Sequence, residues 1–448
     1  MMQSLFRLRT LALLATLVCA PLAGCQDDSP SNVGGQAAGG AGEGGAGGEV
    51  SDPLNLASCA GEAAALGDPL ALPAIDWAAD DGIAQATCAL RALDAAIEPA
   101  RVICLGENAH GVSQSSRWHS VVSRYLIHRW NVRTIAHELP GASSDAWGRF
   151  VATGEPAELE NGFADSAGSL ADSVELERLV QAFRDVQLEL VEGQPIAMTG
   201  FDVAVQDKST RASLVAYLEQ ANPSGAAAHE SALTTGDYLE RADAADAIAN
   251  EIDDNADAYA ALTDAVSTRL ARRDALNLAD GYRFLDRYSA GDFWDGNKRY
   301  REPGMIRNIG SLIAELPADE RLLLISHNGH CGRDMSASGI PAQAATWPAF
   351  GTHYATELGA AYFVLGQVYG GGTQLMIGGT EEPIDVAIDS LEELLNGAIE
   401  GPASLFATST DAFDLSQSYD MENMSAVVPS EQFDALLYLR AVEPITLR

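Results

Sequence analysis

Basic charge is what this chain has least of. Its 448 residues hold 27 Lys and Arg against 63 Asp and Glu, a formal net charge of −36 and a sequence pI near 4.3. A surface of that sign repels phosphate backbones and anionic lipid headgroups, which excludes nucleic acid as a partner and electrostatic attachment to a membrane. Beyond the N-terminus no segment is long and apolar enough to span a bilayer. The Gly-x-Ser-x-Gly elbow of the serine α/β-hydrolases is also missing, because Gly111-Val112-Ser113 continues as Gln114-Ser115-Ser116. An acyl-enzyme on serine therefore has no evident nucleophile. No internal repeat divides the chain.

What remains is an ordinary globular composition, 47% hydrophobic and 20% charged, with ample material for a large core. The first 24 residues are expected to be a signal: Arg7 and Arg9 precede the apolar stretch LALLATLVCAPLA, and Leu22-Ala23-Gly24-Cys25 resembles a bacterial lipobox. Cys25 is then the lipidation site and the only attachment to a membrane. Residues 25–52 are Gly-, Ala- and Ser-rich and read as a flexible tether, leaving 53–448 as the folded body of an exported lipoprotein, periplasmic or on the cell surface. Which membrane holds the anchor is left open.

Four apolar runs in that body each end on ionisable side chains. VICLGENAHG (102–111) presents Glu107 and His110, TIAHELP (134–140) presents Glu138, PIAMTGFD (195–202) presents Asp202, and LLLISHNGH (322–330) presents His327 and His330. Short β-rich runs alternating with helical patterns predict parallel strands. In such sheets the ligand crevice lies beyond the carboxyl ends of the strands, so these groups share one rim. Helices are expected over 83–96, over 114–130 with Ser113 as N-cap, over 171–190, and over 303–315 with Pro303 in the first turn. Residues 206–290 are Ala-rich, charged and without strand signals, which predicts a helical subdomain covering the rim. AAYFVLGQVY predicts a fifth strand with TQLMIGG as its neighbour, and LLYLRAV a last short one.

Of the six cysteines, Cys59 and Cys88 flank a helical stretch and are expected to form a local bridge, while Cys104 and Cys331 are either buried thiols or a second bridge.

Together these residues closely resemble the erythromycin esterase family. Its Gly-Glu-x-x-His-Gly turn is matched by Gly106, Glu107, His110 and Gly111, and its second strand-end glutamate by Glu138. Its Arg-Asp-x-x-Met-x-x-Asn helix start is matched by Arg301, Glu302, Met305 and Asn308, and its His-Asn-x-His strand end by His327, Asn328 and His330. The likeness runs from about residue 70 to the C-terminus. Two positions depart: Glu302 replaces aspartate, and His119 stands where the family usually has arginine. Arg117 faces ~200° away from His119 on the same helix and cannot substitute. The resemblance implies a three-layer α/β fold, a sheet of mostly parallel strands with helices on both faces, with a helical lid at about 206–295. It implies hydrolysis of an ester, in known members a macrolide lactone.

Hydrolysis needs an activated water, a stabilised oxyanion and a proton for the leaving alkoxide. His110 suits the general base, because an unperturbed imidazole titrates near neutrality. Glu107 or Glu138 can fix its tautomer, and His327 or His330 can serve the oxyanion or the alkoxide. Asp202, Arg301, Glu302, Asn308 and Asn328 are candidate substrate-binding or supporting residues. No cofactor is required by this scheme. Two alternatives stay open: a metal-dependent peptidase or amidase using Glu107, His110, His327 and His330 as ligands, and a haem- or ligand-binding lipoprotein without catalysis.

Overall fold

The computed structural model describes residues 53–448 apart from 60–64, 76, 78–81, 165, 167–168, 192, 204, 206–207, 336–348 and 422–423. The expected signal, Cys25, the tether and most of the loop 339–351 lie outside the described residues.

Among the described residues the main sheet has eight strands: β1 (Leu70–Leu72), β2 (Val102–Glu107), β3 (Val132–Pro140), β4 (Ala197–Asp202), β5 (Arg321–His327), β6 (Tyr362–Tyr369), β7 (Ala403–Ala407) and β8 (Ala435–Leu439). Their order is β1-β7-β8-β6-β2-β5-β3-β4. Pairing is parallel from β8 across to β4, and β7 runs antiparallel between β8 and β1. The continuous apolar runs of β2, β5 and β6 follow from burial on both faces. Alternate residues of β2 serve different cores: Ile103 and Leu105 pack on one face, Val102 and Cys104 on the other.

The first core is covered by α1 (Ser113–Trp130), α2 (Gly141–Thr153) and α3 (Val174–Glu189), through Trp118, Trp147 and Phe183 among others. The second is covered by α5 (Glu302–Glu315) and α6 (Phe350–Leu358), through Met305, Ile309, Phe350 and Tyr354. The 206–290 region is helical as expected, ending in α4 (Ala265–Ser289), and has its own core around Leu214, Ile248 and Leu278. Part-buried ion pairs fasten it to the helices that cover the sheet: Arg273 of α4 donates to Asp145 of α2 at 2.7 Å, and Arg307 of α5 to Asp280 of α4 at 2.6 Å. No helix among the described residues is long and apolar enough to cross a membrane.

Several expectations need correcting. The segment following β6 does not extend the main sheet. Gly372–Leu375 instead pairs antiparallel with Glu381–Ile384 as a separate hairpin, turned away by glycines at φ 137° and 126°. Strands β1 and β7 were not anticipated. Ser113 does not cap α1; Val112 occupies that position, and the Ser113 hydroxyl donates to Glu175. The 83–96 stretch is helical but not uniform: α-helix over Ile83–Ala89 tightens into a 3₁₀ turn at Leu90–Leu93 and resumes as α-helix over Asp94–Ile97. The cysteines resolve as Cys59–Cys88, as expected, and a second bridge, Cys104–Cys331, with Cα atoms 5.9 Å apart.

Helix α2 lies tight on β4: a Cβ added at Gly148 would sit 2.4 Å from the Met198 carbonyl oxygen. Gly148→Ala should therefore destabilise the fold by about 1–3 kcal/mol in chemical denaturation. Gly397→Ala, where a Cβ meets nothing within 4 Å on a helix, should leave stability unchanged or raise it slightly. Equal effects at both positions would refute the packing argument.

Candidate active site

Strand register assembles the rim. Glu107 pairs with His327 across β2 and β5, Gly106 with Ser326, and Pro140 with Asp202 across β3 and β4. The turn after β2 closes on Gly111, at φ 81°, where a Cβ would strike the Leu375 carbonyl oxygen at 2.1 Å. Only glycine fits there.

His110 and Glu107 form the first dyad. His110 Nδ1 lies 2.7 Å from Glu107 Oε1, and Ser115 of α1 donates to Glu107 Oε2 at 3.1 Å. The His110 side chain is 50% exposed and that of Glu107 19%. Burial alone would raise the Glu107 carboxyl, but the hydrogen bond and positive charge of His110 outweigh it and hold the group at about 2. Conversely, burial draws His110 down while Glu107 and then Glu138 push it up, to about 9. The resting dyad is an imidazolium–carboxylate pair facing water.

A second cluster lies deeper, around Arg301. Its Nε donates to both oxygens of Asp202 at 3.0 and 3.1 Å, and its Nη2 donates to Asp202 and to Glu138, each at 2.7 Å. Burial opposes the guanidinium charge, yet Asp202 and Glu138 raise its pKa. Glu138 Oε2 also accepts from the Ser326 hydroxyl at 2.6 Å and the His327 amide at 2.8 Å. Burial raises the Glu138 carboxyl, but His330 and Arg301 overcome this and hold it well below the carboxylate range. His330 is pinned between two acids, with Nδ1 2.5 Å from Glu302 and Nε2 3.4 Å from Glu138. Those acids raise it against the opposing effect of burial.

His327 stands between the two clusters, its ring 5.3 Å from that of His110 and 6.4 Å from that of His330. Its Nδ1 accepts from the Gly329 amide at 3.0 Å and its Nε2 donates to the Asn108 carbonyl at 2.9 Å, which fixes one neutral tautomer. Burial and the neighbouring His110 charge lower its pKa to about 4. With both nitrogens engaged, it has none to offer an oxyanion.

All five expected catalytic residues, with Asp202, Arg301 and Glu302, therefore meet at one rim. Of the two roles expected for Asn308 and Asn328, the geometry gives them the supporting one. Asn308 Nδ2 donates to the Phe201 carbonyl and to Asn277, both at 2.9 Å, tying α5 to β4 and α4. Asn328 exchanges hydrogen bonds with the Gln367 backbone, under Gly106. His119 is buried against the Gly106 carbonyl at 3.3 Å, with burial lowering its pKa, so a neutral group fills the place of the family's arginine. Arg117 points toward Trp77 instead. Ser115, Ser326 and Tyr369, whose hydroxyl accepts from the Asn108 amide at 3.3 Å, went unnoticed in the sequence because nothing marks one serine or tyrosine among many. Among the described residues no group of three or more His, Cys, Asp or Glu side chains is placed to hold a metal ion.

A family model described as erythromycin esterase matches residues 127–442. That stretch includes Glu138, Asp202, Arg301, Glu302, His327 and His330, and begins after the Glu107–His110 turn. Solved structures show the same fold at low identity. A succinoglycan biosynthesis protein has 16% identity and TM-score 0.63, over 80% of this chain and 92% of that one. A Bacillus cereus protein has 14% identity and TM-score 0.65, over 81% and 93%. A mutant of the erythromycin esterase EreC in its open conformation has 15% identity and TM-score 0.64, over 79% and 94%. No curated protein sequence matches.

The coupling within the exposed dyad is directly measurable. In Glu107→Gln the imidazole resonances of His110 should titrate near or below the ordinary 6.5 rather than toward about 9. An unchanged titration would mean that another group sets the His110 charge.

Proposed function

Because this chain belongs to the erythromycin esterase family, we propose that it hydrolyses a carboxylic ester or lactone with water activated by His110. The observation that carries this reading is the His110–Glu107 pair, half exposed and beside a buried, multiply anchored guanidinium. Glu107 holds Nδ1 of His110, leaving Nε2 for water. As the water oxygen attacks the carbonyl carbon, its proton passes to Nε2, and Glu107 stabilises the imidazolium. Arg301 commits Nε and Nη2 to carboxylates, while Nη1 has only a 3.5 Å contact with His330 Nε2. Its remaining donors suit the tetrahedral oxyanion. When the carbon–oxygen bond of the leaving group breaks, His110 returns its proton to the alkoxide, giving an acid and an alcohol. Glu138 and Asp202 keep Arg301 in place, Glu302 orients His330 beside it, and His327 fixes the turn through Asn108.

We also propose that the protein is exported and lipid-anchored at Cys25, periplasmic or on the cell surface. The lipobox supports this, as do the two disulfides, which persist in oxidising compartments.

In a screen against macrolides and simple esters, His110→Ala should lose at least ~10²-fold in kcat/KM while keeping its fold. Full activity in a folded variant ends the base assignment. The base form appears only as pH rises through the His110 pKa. Activity should therefore climb with pH through an apparent value between 6.5 and about 9, since water screens part of the Glu107 pull on a half-exposed ring. In Glu107→Gln that limb should move to lower pH. Chelators should leave the rate unchanged; loss restored by one added ion would favour the metal-dependent alternative.

A further inference from the structure

Residues 442–448 run past the exposed dyad without contributing a side chain to it. The segment first passes the Gly372–Leu375 hairpin strand. There the Val442 amide donates to the Gly371 carbonyl and the Thr373 amide to the Val442 carbonyl, both at 3.0 Å. It then crosses the turn after His110. The Ser113 amide donates to the Glu443 carbonyl at 2.8 Å, the Glu443 amide to the Gln114 side chain at 2.7 Å, and the Ile445 amide to the Gly111 carbonyl at 3.0 Å. Beyond the turn it reaches the start of α3. The Val174 amide donates to the Thr446 carbonyl and the Thr446 amide to the buried Glu175 carboxylate, both at 2.8 Å.

Arg448 locks the far end. Its guanidinium lies 2.7 Å from Glu160, 2.7 Å from Glu177 and 3.7 Å from Asp172, and 4.0 Å from the centre of the Phe163 ring. Its amide donates to the Asp172 carbonyl at 3.1 Å. Gly111 is where this anchorage bears on chemistry. Its carbonyl accepts two amides, Leu375 from the hairpin and Ile445 from the segment, each at 3.0 Å. The residue after His110 is thus held from two sides at φ 81°. The 2.7 Å bond between His110 and Glu107 forms inside the same turn, and such a bond weakens steeply as its geometry drifts.

We propose that residues 442–448 are a strap that positions His110, with Arg448 as its latch. Arg448 is a positioning residue: it acts on the ring through Ile445 and Gly111. Residues 443–448 and the Glu107–Gly111 turn both lie outside 127–442, the stretch matched by the family model. The consequence for catalysis rests on the His110 reaction proposed above, whereas the effect on the ring itself does not.

The test compares Arg448→Gln, Arg448→Lys and Ile445→Pro in the full chain. Arg149→Gln, which removes an arginine paired with Glu158 at 2.9 Å, is the control. In Arg448→Gln the Ile445 and Thr446 amides should exchange with solvent ~10-fold faster or more, while β2 and β5 stay protected. The charges facing the ring, Glu107, Glu138 and Arg301, are all retained. Even so, the His110 resonance should titrate about half a unit lower or more, because a loosened Glu107 contact pulls it up less. On the alkaline plateau kcat should fall ~10-fold or more with KM little changed. Arg448→Lys should lie between, and Ile445→Pro, which deletes the donor to Gly111 itself, should reproduce both effects. An unchanged His110 titration and plateau kcat in a strap whose amides have opened overturn the positioning role. So does an equal loss in Arg149→Gln, which would make Arg448 one stabilising ion pair among others. If the unaltered chain turns over no ester, the hydrolytic reading fails, and the His110 titration alone decides: a shift upholds the strap and no shift removes it.

Discussion

The rim depends on one guanidinium. β3 and β4 deliver Glu138 and Asp202 to adjacent strand ends, and α5 brings Glu302 close behind. Three buried carboxylates so placed would repel one another and would be neutralised rather than kept charged. Arg301 prevents this by bonding Glu138 and Asp202 together, each at 2.7 Å, and His330 takes Glu302. A buried ion pair is a poor source of net stability, because desolvation offsets most of the attraction. Its value here is geometric: four hydrogen bonds from Nε and Nη2 to two carboxylates fix the guanidinium's orientation.

Environment separates the histidines into distinct roles. His110 and His330 each have a carboxylate partner and are drawn toward the charged form, whereas His327 is buried against a carbonyl and an amide and stays neutral. Of the three rim histidines His110, His327 and His330, His110 is the one that combines a carboxylate partner with broad exposure, at 50%, so it can exchange protons with water. Titratable groups pushed apart by their surroundings mark where acid and base work divides. The Glu107 partnership cuts both ways: it stabilises the imidazolium formed during attack, and it keeps the resting ring protonated until the pH rises.

The sequence made the central strands and the rim legible, and for one reason. A parallel strand buried on both faces is an uninterrupted apolar run, so its end is abrupt, and a charged residue at that end is conspicuous. The edge of the sheet lacked this signal. β1 is three residues, LAL, and β7 is ASLFA, runs too short to separate from a buried turn or helix end. The same ambiguity made TQLMIGG look like a sheet strand. Asn308 and Asn328 show a different limit. Their motif positions mark them as substrate-binding or supporting, and only the folded arrangement decides for support, with their amides bracketing backbone. Ser115 and Ser326 had no mark at all.

Rigidity at the rim comes from either side of a single turn. Cys331 directly follows His330 and is bonded to Cys104, three residues before Glu107, so the two histidine-bearing segments are covalently joined through β2. From the opposite side, Tyr369 accepts the Asn108 amide and donates to Gln367 at 3.1 Å, while the Gln367 backbone holds Asn328. Asn108 in turn receives His327 at 2.9 Å. Donors aimed at developing charge act strongly only when no reorganisation is needed at the moment of reaction. A site drawn from four strands and one helix has many ways to drift, and these two ties remove them where the exposed dyad meets the buried cluster.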